Sequence, residues 1–551
     1  MSFKKITGSY YTPDHISAFI VNYIAKDLGD FEHLSILEPS IGEGTFIKAF
    51  NNSPITASKT TVSFTGIELI ETELSKAKAV ANLNPKSKTV YRFIQGDFLD
   101  IQKDITETFQ LIIGNPPYIS KKHLTDSQIK SIEGIHLSAG LSNHSIKNIW
   151  TAFLVKSCQL LSDDGIISFI LPAEILQVSF AKELRHYISY LFERVEIFTF
   201  SELLFDCKGQ DTVLLIAHKK HAAGGQFYTH IDNVKDLQSG KFKLKENDAL
   251  NANNTKWSHH SLKEADLSFV YNTASSIKPV GWYCESKPGI VTAANHFFII
   301  NSETEQLYEL EPYTLPIIQK GLFVNGSVVF SQNNFERLVQ DGKPSKVLAF
   351  NDQNSDNFSP VVTDYLKKGE SLEINERYKC QKRKAWYQIP NIAKAPDGFF
   401  FKRSHNYPKL LKNDANVLVT DSAYKIKMNE GFNINSFIYS FYNSLTLLFA
   451  ELDGRYYGGG VLELIPSEFK NLPIPYVDIS SESFNIFARD FENKRSILDV
   501  LIANDAIILG QGLGLNKIEI AKIQGIYNRL IAKRFRKEFT DLKNPIDTIS
   551  L

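Results

Sequence analysis

The stretch Leu111-Ile112-Ile113-Gly114-Asn115-Pro116-Pro117-Tyr118 constrains this chain more than any other. Its apolar β-formers predict a buried strand. The strand must end at the prolines, because neither has an N–H to donate to a ladder. The turn they make is stiff and sits at the C-terminal end of the strand, the edge of an open α/β sheet where ligands bind. Asn115 brings an amide to that edge, Pro116 a carbonyl that no local turn needs, and Tyr118 a ring face.

Three earlier strand ends carry residues of related character. The segment Leu34 to Glu38 runs through Pro39 and Ser40 into a loop holding Gly42 and Gly44, then into an amphipathic segment with Phe46, Ile47 and Phe50. Glycines there permit a tight strand-to-helix turn and a close approach of backbone to ligand. The spacing is neither a dinucleotide fingerprint nor a phosphate-binding loop with Gly-Lys-Ser/Thr. A second strand ends at Gly66-Ile67-Glu68, where a carboxylate can accept from both hydroxyls of a ribose. A third ends at Gln95-Gly96-Asp97-Phe98, where the acid can accept from an exocyclic adenine amino group and the ring can pack on the base. Each acid alone reads equally as a cap or turn former; four successive strands ending this way are far more specific.

Before these strands, Tyr11-Thr12-Pro13 precedes a helical face of Ile16, Phe19, Ile20, Tyr23 and Ile24, which predicts Thr12 as N-cap and Pro13 as the first helical residue. That is either a plain capped helix or a place where the Thr12 hydroxyl and free N–H groups hold a carboxylate. After Tyr118, residues 119–146 are polar, with Lys121, Lys122, His123 and His144, and predict a long loop at the mouth of the site. A helix over 147–161, a strand from Ile166 to Leu171 and further strands at Val195–Phe200 and Thr212–Ala217 complete a doubly wound sheet of about seven strands closing with a hairpin.

At 551 residues the chain is too long for one ordinary core. Between 219 and 265 the rhythm dissolves into polar, Lys- and Asn-rich sequence, and the domain boundary is placed there. Beyond it, the segment 281–300, Gly281-Trp282-Tyr283 and then Gly289-Ile290-Val291-Thr292 through Phe298, predicts a strand, a turn and a second strand. Between Arg377 and Lys412, basic and aromatic residues interleave, including Tyr378, Lys379, Arg383, Lys384, Trp386, Lys402 and Arg403. With 61 basic against 61 acidic residues, a polyanion site needs such local clustering; the alternative is a solvated face. From about 481 the chain reads as helical. The four cysteines stand far apart, which argues against a zinc ribbon or disulfide framework and suits a reducing cytoplasm. No run of 18 apolar residues suggests a membrane span.

The chemistry these groups can perform is narrow. An amino nitrogen conjugated to a ring is a poor nucleophile, because its lone pair is delocalised. If the Asn115 side-chain oxygen and the Pro116 carbonyl each accept one N–H, the nitrogen becomes more tetrahedral and its lone pair points at an electrophile, which is catalysis by positioning and charge stabilisation. A glycine loop, a ribose-binding Glu68 and an adenine-reading Asp97 beside it suit S-adenosylmethionine as that electrophile's source.

The set Tyr11-Thr12-Pro13, Glu38-Pro39-x-x-Gly42-x-Gly44, Glu68, Gly96-Asp97-Phe98 and Asn115-Pro116-Pro117-Tyr118 resembles that of the gamma-class, TaqI-like or Eco57I-like DNA N6-adenine methyltransferases of bacterial restriction–modification systems. The motif match spans 5–217, with a looser match beyond. The resemblance implies an α/β fold: a Rossmann-like, seven-stranded class I S-adenosylmethionine-dependent methyltransferase domain over 1–240, a mixed α+β target-recognition domain over 265–478 and a C-terminal helical segment over 479–551. It implies that Tyr11, Thr12 and Pro13, with Glu38, Ser40, Gly42 and Gly44, take the methionine end of the cofactor, that Glu68 takes the ribose and that Asp97 and Phe98 take the adenine. Asn115, Pro116, Tyr118 and Phe205 would form the catalytic set, Tyr118 and Phe205 stacking on an adenine rotated out of the duplex, while Asn115 and Pro117 also border the cofactor. Lys121, Lys122, Arg383, Lys384, Lys402 and Arg403 would contact DNA. The partners so implied are double-stranded DNA and a separate cognate restriction endonuclease, with a monomer in the cytoplasm, no membrane and no metal. Enzymes methylating RNA or protein glutamine share the Asn-Pro-Pro-Tyr loop, and a fused restriction–modification enzyme would carry it too. Glu285-x-Lys287 is the one nuclease-like pair, and the long chain after the catalytic motifs favours DNA over glutamine.

Overall fold

Four parallel strands explain where the ligand-facing edge lies: β1 (His33–Glu38), β2 (Thr61–Glu68), β3 (Thr89–Gln95) and β4 (Phe109–Gly114). The computed structural model of the chain describes residues 12–28, 32–57, 61–83, 88–101, 105, 107–143, 146–200, 211–247, 256–324, 326–350, 358–390, 392, 394–457 and 460–535. β1 pairs with β2 on one side and β4 on the other, all in parallel. The chain therefore winds outward to β3, returns across the sheet and continues through β4 to β5 (Leu161–Pro172), β6 (Arg194–Phe200), β7 (Thr212–His218), β8 (Gly225–Ile231) and β9 (Lys245–Glu246). The order is β3-β2-β1-β4-β5-β7-β6-β8-β9. The reversal of winding between β1 and β4 opens a crevice at their C-terminal ends.

The central strands are buried on both faces, as their unbroken apolar runs require. Ile36, Leu37, Ile112 and Ile113 are at most 2% exposed, and Ile166 to Leu171 fill β5. β7 lies antiparallel between β5 and β6, which is the expected hairpin. Two more strands follow it: β8 adds in parallel to β6, and β9 pairs back on β8. Part of the polar stretch read as an interdomain boundary thus belongs to the sheet. Its side chains are half exposed because they sit at the edge of the sheet, which hides the strand pattern.

The N-terminal helix α1 (Asp14–Ile24) starts one residue later than expected. Pro13, with ψ of 142°, is the N-cap, and no side chain caps the helix. Thr12 is buried rather than capping. On the far side of α1, Tyr23 donates to Glu196 of β6 at 2.8 Å.

The second compact unit, residues 268–551, has a different construction. A five-stranded sheet orders Cys284–Pro288, Ala423–Met428, Gly398–Phe401, Leu410–Asn413 and Val329–Phe330. A four-stranded sheet of Ile299–Ile300, Lys346–Leu348, Thr314–Ile318 and Leu418–Val419 lies in the same unit. Of the strand–turn–strand expected around 281–300, the first strand forms, but the second is two residues long and follows a short helix at Asn295–Phe298. Gly289 packs so tightly on this unit that a Cβ there would stand 2.2 Å from the Thr420 carbonyl oxygen. The C-terminal segment is helical at Ser481–Glu492, Ile497–Asp505 and Lys517–Phe535. Arg534, near the end of the last helix, is fully buried against Glu451 and also donates to the carbonyls of Gly460 and Asn406. Among the described residues no helix is long and apolar enough to cross a membrane.

Candidate active site

The loop after β1 is shaped by two residues with positive φ, Gly42 at 53° and Gly44 at 85°. At Gly44 a Cβ would also stand 3.0 Å from the backbone of Ala77, so only glycine lets the loop close onto the helix at Glu71–Leu83. The Gly42 N–H donates to Glu68 Oε2 and the Ile70 N–H to Glu68 Oε1, both at 2.9 Å. Glu68 therefore has both oxygens oriented by backbone, and each retains a further lone pair for a ribose hydroxyl.

Glu38 ends β1 at 2% exposure, and its Oε2 has no hydrogen-bond partner among the described residues. Burial, and then the nearby charge of Glu68, hold its carboxyl well above the usual carboxylate range. An orphaned buried acceptor is costly unless a ligand completes it. The ammonium of a methionine group is a donor of the right charge, so the residues present fit S-adenosylmethionine.

After β3, Asp97 Oδ1 accepts from the Leu99 N–H at 2.9 Å, and Gln128 Nε2 stands 3.5 Å from Oδ2. Phe98 is 1% exposed, its ring packed against Phe153 and the Lys156 ammonium. The expectation that this ring stacks on the cofactor adenine is therefore corrected: the apolar side chain is taken into the core, and what the turn presents is Asp97 and backbone. The turn is held from below by a residue that sequence reasoning passed over. Lys156, buried in the helix Trp150–Leu160, donates to the carbonyls of Phe98, Leu99 and Ile101 at 2.6, 3.1 and 3.1 Å. Burial lowers its pKa, opposed by Asp100 and Asp97. The available signal was a lysine inside the wholly apolar run Ala152 to Val155 and Cys158.

At the end of β4, Ser40 Oγ donates to the Asn115 carbonyl at 3.1 Å, tying the first loop to the fourth. The Tyr118 hydroxyl lies 2.9 Å from both Asn115 Oδ1 and the Ile170 carbonyl. Tyr118 is 8% exposed within the main core. This differs from a ring laid open for a base: here Tyr118 locates the Asn115 amide oxygen. Pro116 is buried and Pro117 half-buried beside it. Tyr11 and Phe205 lie outside the described residues.

The expected loop over 119–146 is replaced by a short turn at Lys121–His123 and a helix, Asp126–Ser138. Thr125 and Gln128 form a reciprocal capping box that starts the helix, so its polar surface reflects exposure rather than irregular backbone. Lys121 is half-buried and Lys122 exposed, directly after the Asn-Pro-Pro-Tyr turn.

Within the second unit the expected DNA contacts separate into two groups. Arg383 is corrected to a structural residue: its guanidinium donates to the carbonyls of Thr292 at 2.8 Å and Trp386 at 3.1 Å and lies 5.1 Å from the Phe298 ring centroid. Arg403 pairs with Glu463 at 3.2 Å, and Lys402 lies over the Tyr424 ring. Lys384 is exposed. Glu285 and Lys287 form an exposed ion pair with each other at 2.8 Å.

Known proteins resemble this chain over most of its length. The family described as Eco57I restriction-modification methylase matches residues 38–205, and that described as Type II methyltransferase M.Eco57I, C-terminal domain, matches 254–509. The Type II methyltransferase M.AccI of Acinetobacter calcoaceticus is 26% identical over 529 residues, covering 90% of this chain and 91% of that protein. The Type II methyltransferase M.BstVI of Geobacillus stearothermophilus is 21% identical, covering 76% and 80%. The Type II restriction enzyme and methyltransferase RM.Eco57I of Escherichia coli is 23% identical over 49% of this chain, but the match spans only 26% of that protein. In fold, the chain is similar to the Type IIL restriction-modification enzyme MmeI solved in complex with DNA, at a TM-score of 0.61 and 12% identity, covering 95% of this chain and 76% of that one.

Proposed function

The chain belongs to the Eco57I-type restriction–modification methyltransferases, and from that premise we propose that it methylates the N6 amino group of adenine at one specific site in duplex DNA. S-adenosylmethionine supplies the methyl group. Glu38, Ser40 and the Gly42–Gly44 loop hold its methionine end, Glu68 its ribose and Asp97 its adenine. The observation that carries the reading is the anchored Asn115: its carbonyl is fixed by Ser40 and its Oδ1 by Tyr118. An acceptor so fixed can take one N–H of a conjugated amine, with the Pro116 carbonyl taking the other. The nitrogen lone pair would then be directed at the methyl carbon, the sulfur–methyl bond breaking as the N–C bond forms, with the N6 proton leaving to solvent.

A paired adenine cannot present its amino group this way, so the base is rotated out of the stack, at a cost of about a few kcal/mol. Tyr118 and Phe205 border the rotated base and offset that cost, while Asn115 Oδ1, which has two lone pairs, accepts the target N–H and keeps its bond from the Tyr118 hydroxyl. The biological role that follows is protection of host DNA from a separate cognate endonuclease. The chain is read as acting as a monomer in the cytoplasm. The test is to express the chain in a host without adenine methylation and sequence its DNA for modified bases. N6-methyladenine at a single motif is expected; methyl groups on another base, or on RNA or protein alone, would overturn the assignment.

A further inference from the structure

The second unit contains a cavity of about 790 Å³ built around the turn 291–296. The turn is unusually well fixed. Arg377 Nη1 donates to the Ala293 carbonyl at 2.8 Å, Arg383 Nη2 donates to that of Thr292 at 2.8 Å, and the Ala294 N–H donates to Thr292 Oγ at 3.2 Å. Between these contacts Ala293 is held at a φ of 66°, a left-handed conformation that strains any residue with a Cβ. The Thr292 hydroxyl donates to Asn295 Oδ1, which leaves the amide NH2 of Asn295 as a donor.

The rim carries the opposite character. Arg377, Tyr378 and Lys379 are all exposed, and Tyr378 is 73% exposed. Lys382 stands 5.6 Å from its ring centroid. Beyond its bond to Ala293, Arg377 has no further partner among the described residues, and Lys379 has none. Asn295, His296, Gln319 and Asp421 complete the polar lining.

We infer that this cavity receives one nucleotide of a DNA strand, a step that rests on the proposed reading of the chain as a DNA methyltransferase. Its phosphate lies between Arg377 and Lys379, a planar fork and a point charge that together suit a phosphodiester. The Tyr378 ring packs on the adjoining sugar or base, as exposed aromatics among cations do in strand-binding grooves. Asn295, Gln319 and Asp421 face the base edge. Asn and Gln pair bidentately with adenine, and a carboxylate accepts from the cytosine amino group, so these residues carry sequence information that the rim does not. A simple anion would be repelled by Asp421 and would leave Tyr378 without a role. The recognition surface is therefore centred on 377–379 and 291–296, rather than on Arg383 and Lys402, which lie against carbonyls and a ring of their own fold, or on Arg403, which is paired with Glu463.

The test uses the full chain with two duplexes, one containing the motif found methylated in cells and one unrelated, with affinity measured across a salt series. Lys379→Ala is expected to weaken both duplexes alike and to flatten the slope of log affinity against log salt by about one unit. Tyr378→Ala should weaken both about tenfold. Asp421→Asn should reduce the ratio of specific to unrelated binding by about tenfold, because it replaces a charged acceptor at the base edge with an amide whose NH2 donates. Lys379 and Tyr378 extend from the rim, so unchanged thermal melting accompanies these losses. Wild-type affinity, slope and ratio in all three variants would overturn the cavity as a DNA site, even with methylation intact. Absence of DNA methylation by the wild-type chain would instead overturn the parent reading.

Discussion

At the sheet edge of the first unit the working groups are buried or half-buried and already held by protein. Glu68 is oriented by two backbone N–H groups, Lys156 by three carbonyls, and Asn115 by Ser40 and Tyr118. At the cavity of the second unit the backbone is just as fixed, but the rim is open: Tyr378 and Lys379 extend into solvent, and Arg377, which bonds the Ala293 carbonyl, is exposed as well. The contrast follows from what each ligand demands. A reacting nitrogen must meet acceptors that are in place before it arrives, because reorganisation during the reaction costs rate. A polyanion is attracted from a distance and displaces counterions, so its partners work best as exposed charges on a firm base.

Removing a held group should therefore hurt chemistry, and removing an exposed one should hurt encounter. The largest effect is expected for Asn115→Ala, which should slow methyl transfer by about 10²–10³-fold or more, with S-adenosylmethionine affinity within about twofold of wild type. Retained transfer in a single-turnover assay would remove the acceptor role. Glu68→Ala should weaken cofactor binding by about tenfold to a hundredfold, since hydrogen bonds to a charged group are worth about 1.5–3 kcal/mol each. Calorimetric titration with the cofactor measures it, and unchanged affinity would misplace the ribose. Lys156→Met should raise the KM for the cofactor by about tenfold while kcat at saturation stays near wild type, because the turn bearing Asp97 loses its support without losing a reacting group. A fall in kcat alone would contradict that split.

Two smaller effects sharpen the same comparison. Glu38 has a folded pKa above its unfolded one, so the folded state keeps its proton where the unfolded state has lost it. Stability of the cofactor-free protein is therefore greatest below the ordinary carboxylate range and declines as pH rises through the window up to the raised value. Urea unfolding across pH should show that decline, and Glu38→Gln should flatten it. Arg403→Ala, by contrast, removes an exposed pair with Glu463 and should change stability by about 0–1 kcal/mol, with little change in DNA affinity. A loss of affinity matching that of Lys379→Ala would erase the distinction between paired and unpaired cations.

Sequence exposed the framework of the first unit because strand ends at a sheet edge are punctuated by residues with no other reason to be there. Pro116 and Pro117 stop β4, and Gly42 and Gly44 turn the chain after β1. The helix at Asp126–Ser138 was missed because its polar face dominates the composition, although Thr125 and Gln128 mark its start. β8 was missed because a strand near the edge, covered beyond only by the two-residue β9, lacks the two-sided burial that makes β5 unmistakable. The fate of Phe98, Tyr118 and Arg383 could not be read at all. Whether a ring faces a ligand or a core, and whether a guanidinium faces solvent or its own carbonyls, depends on residues distant in the chain, such as Phe153, Ile170 and Thr292.

Arg534 has a consequence for how the chain is made. Its partner Glu451 stands 83 positions earlier and is sealed in the interior with it. While the ribosome has delivered Glu451 but not Arg534, the nascent segment holds an acid whose interior place is not yet neutralised, and burying such a charge unpaired costs about 3–5 kcal/mol. The catalytic sheet, by contrast, has all of its strands in hand long before. Synthesis thus delivers every strand of the first unit before the second unit can close its buried pair.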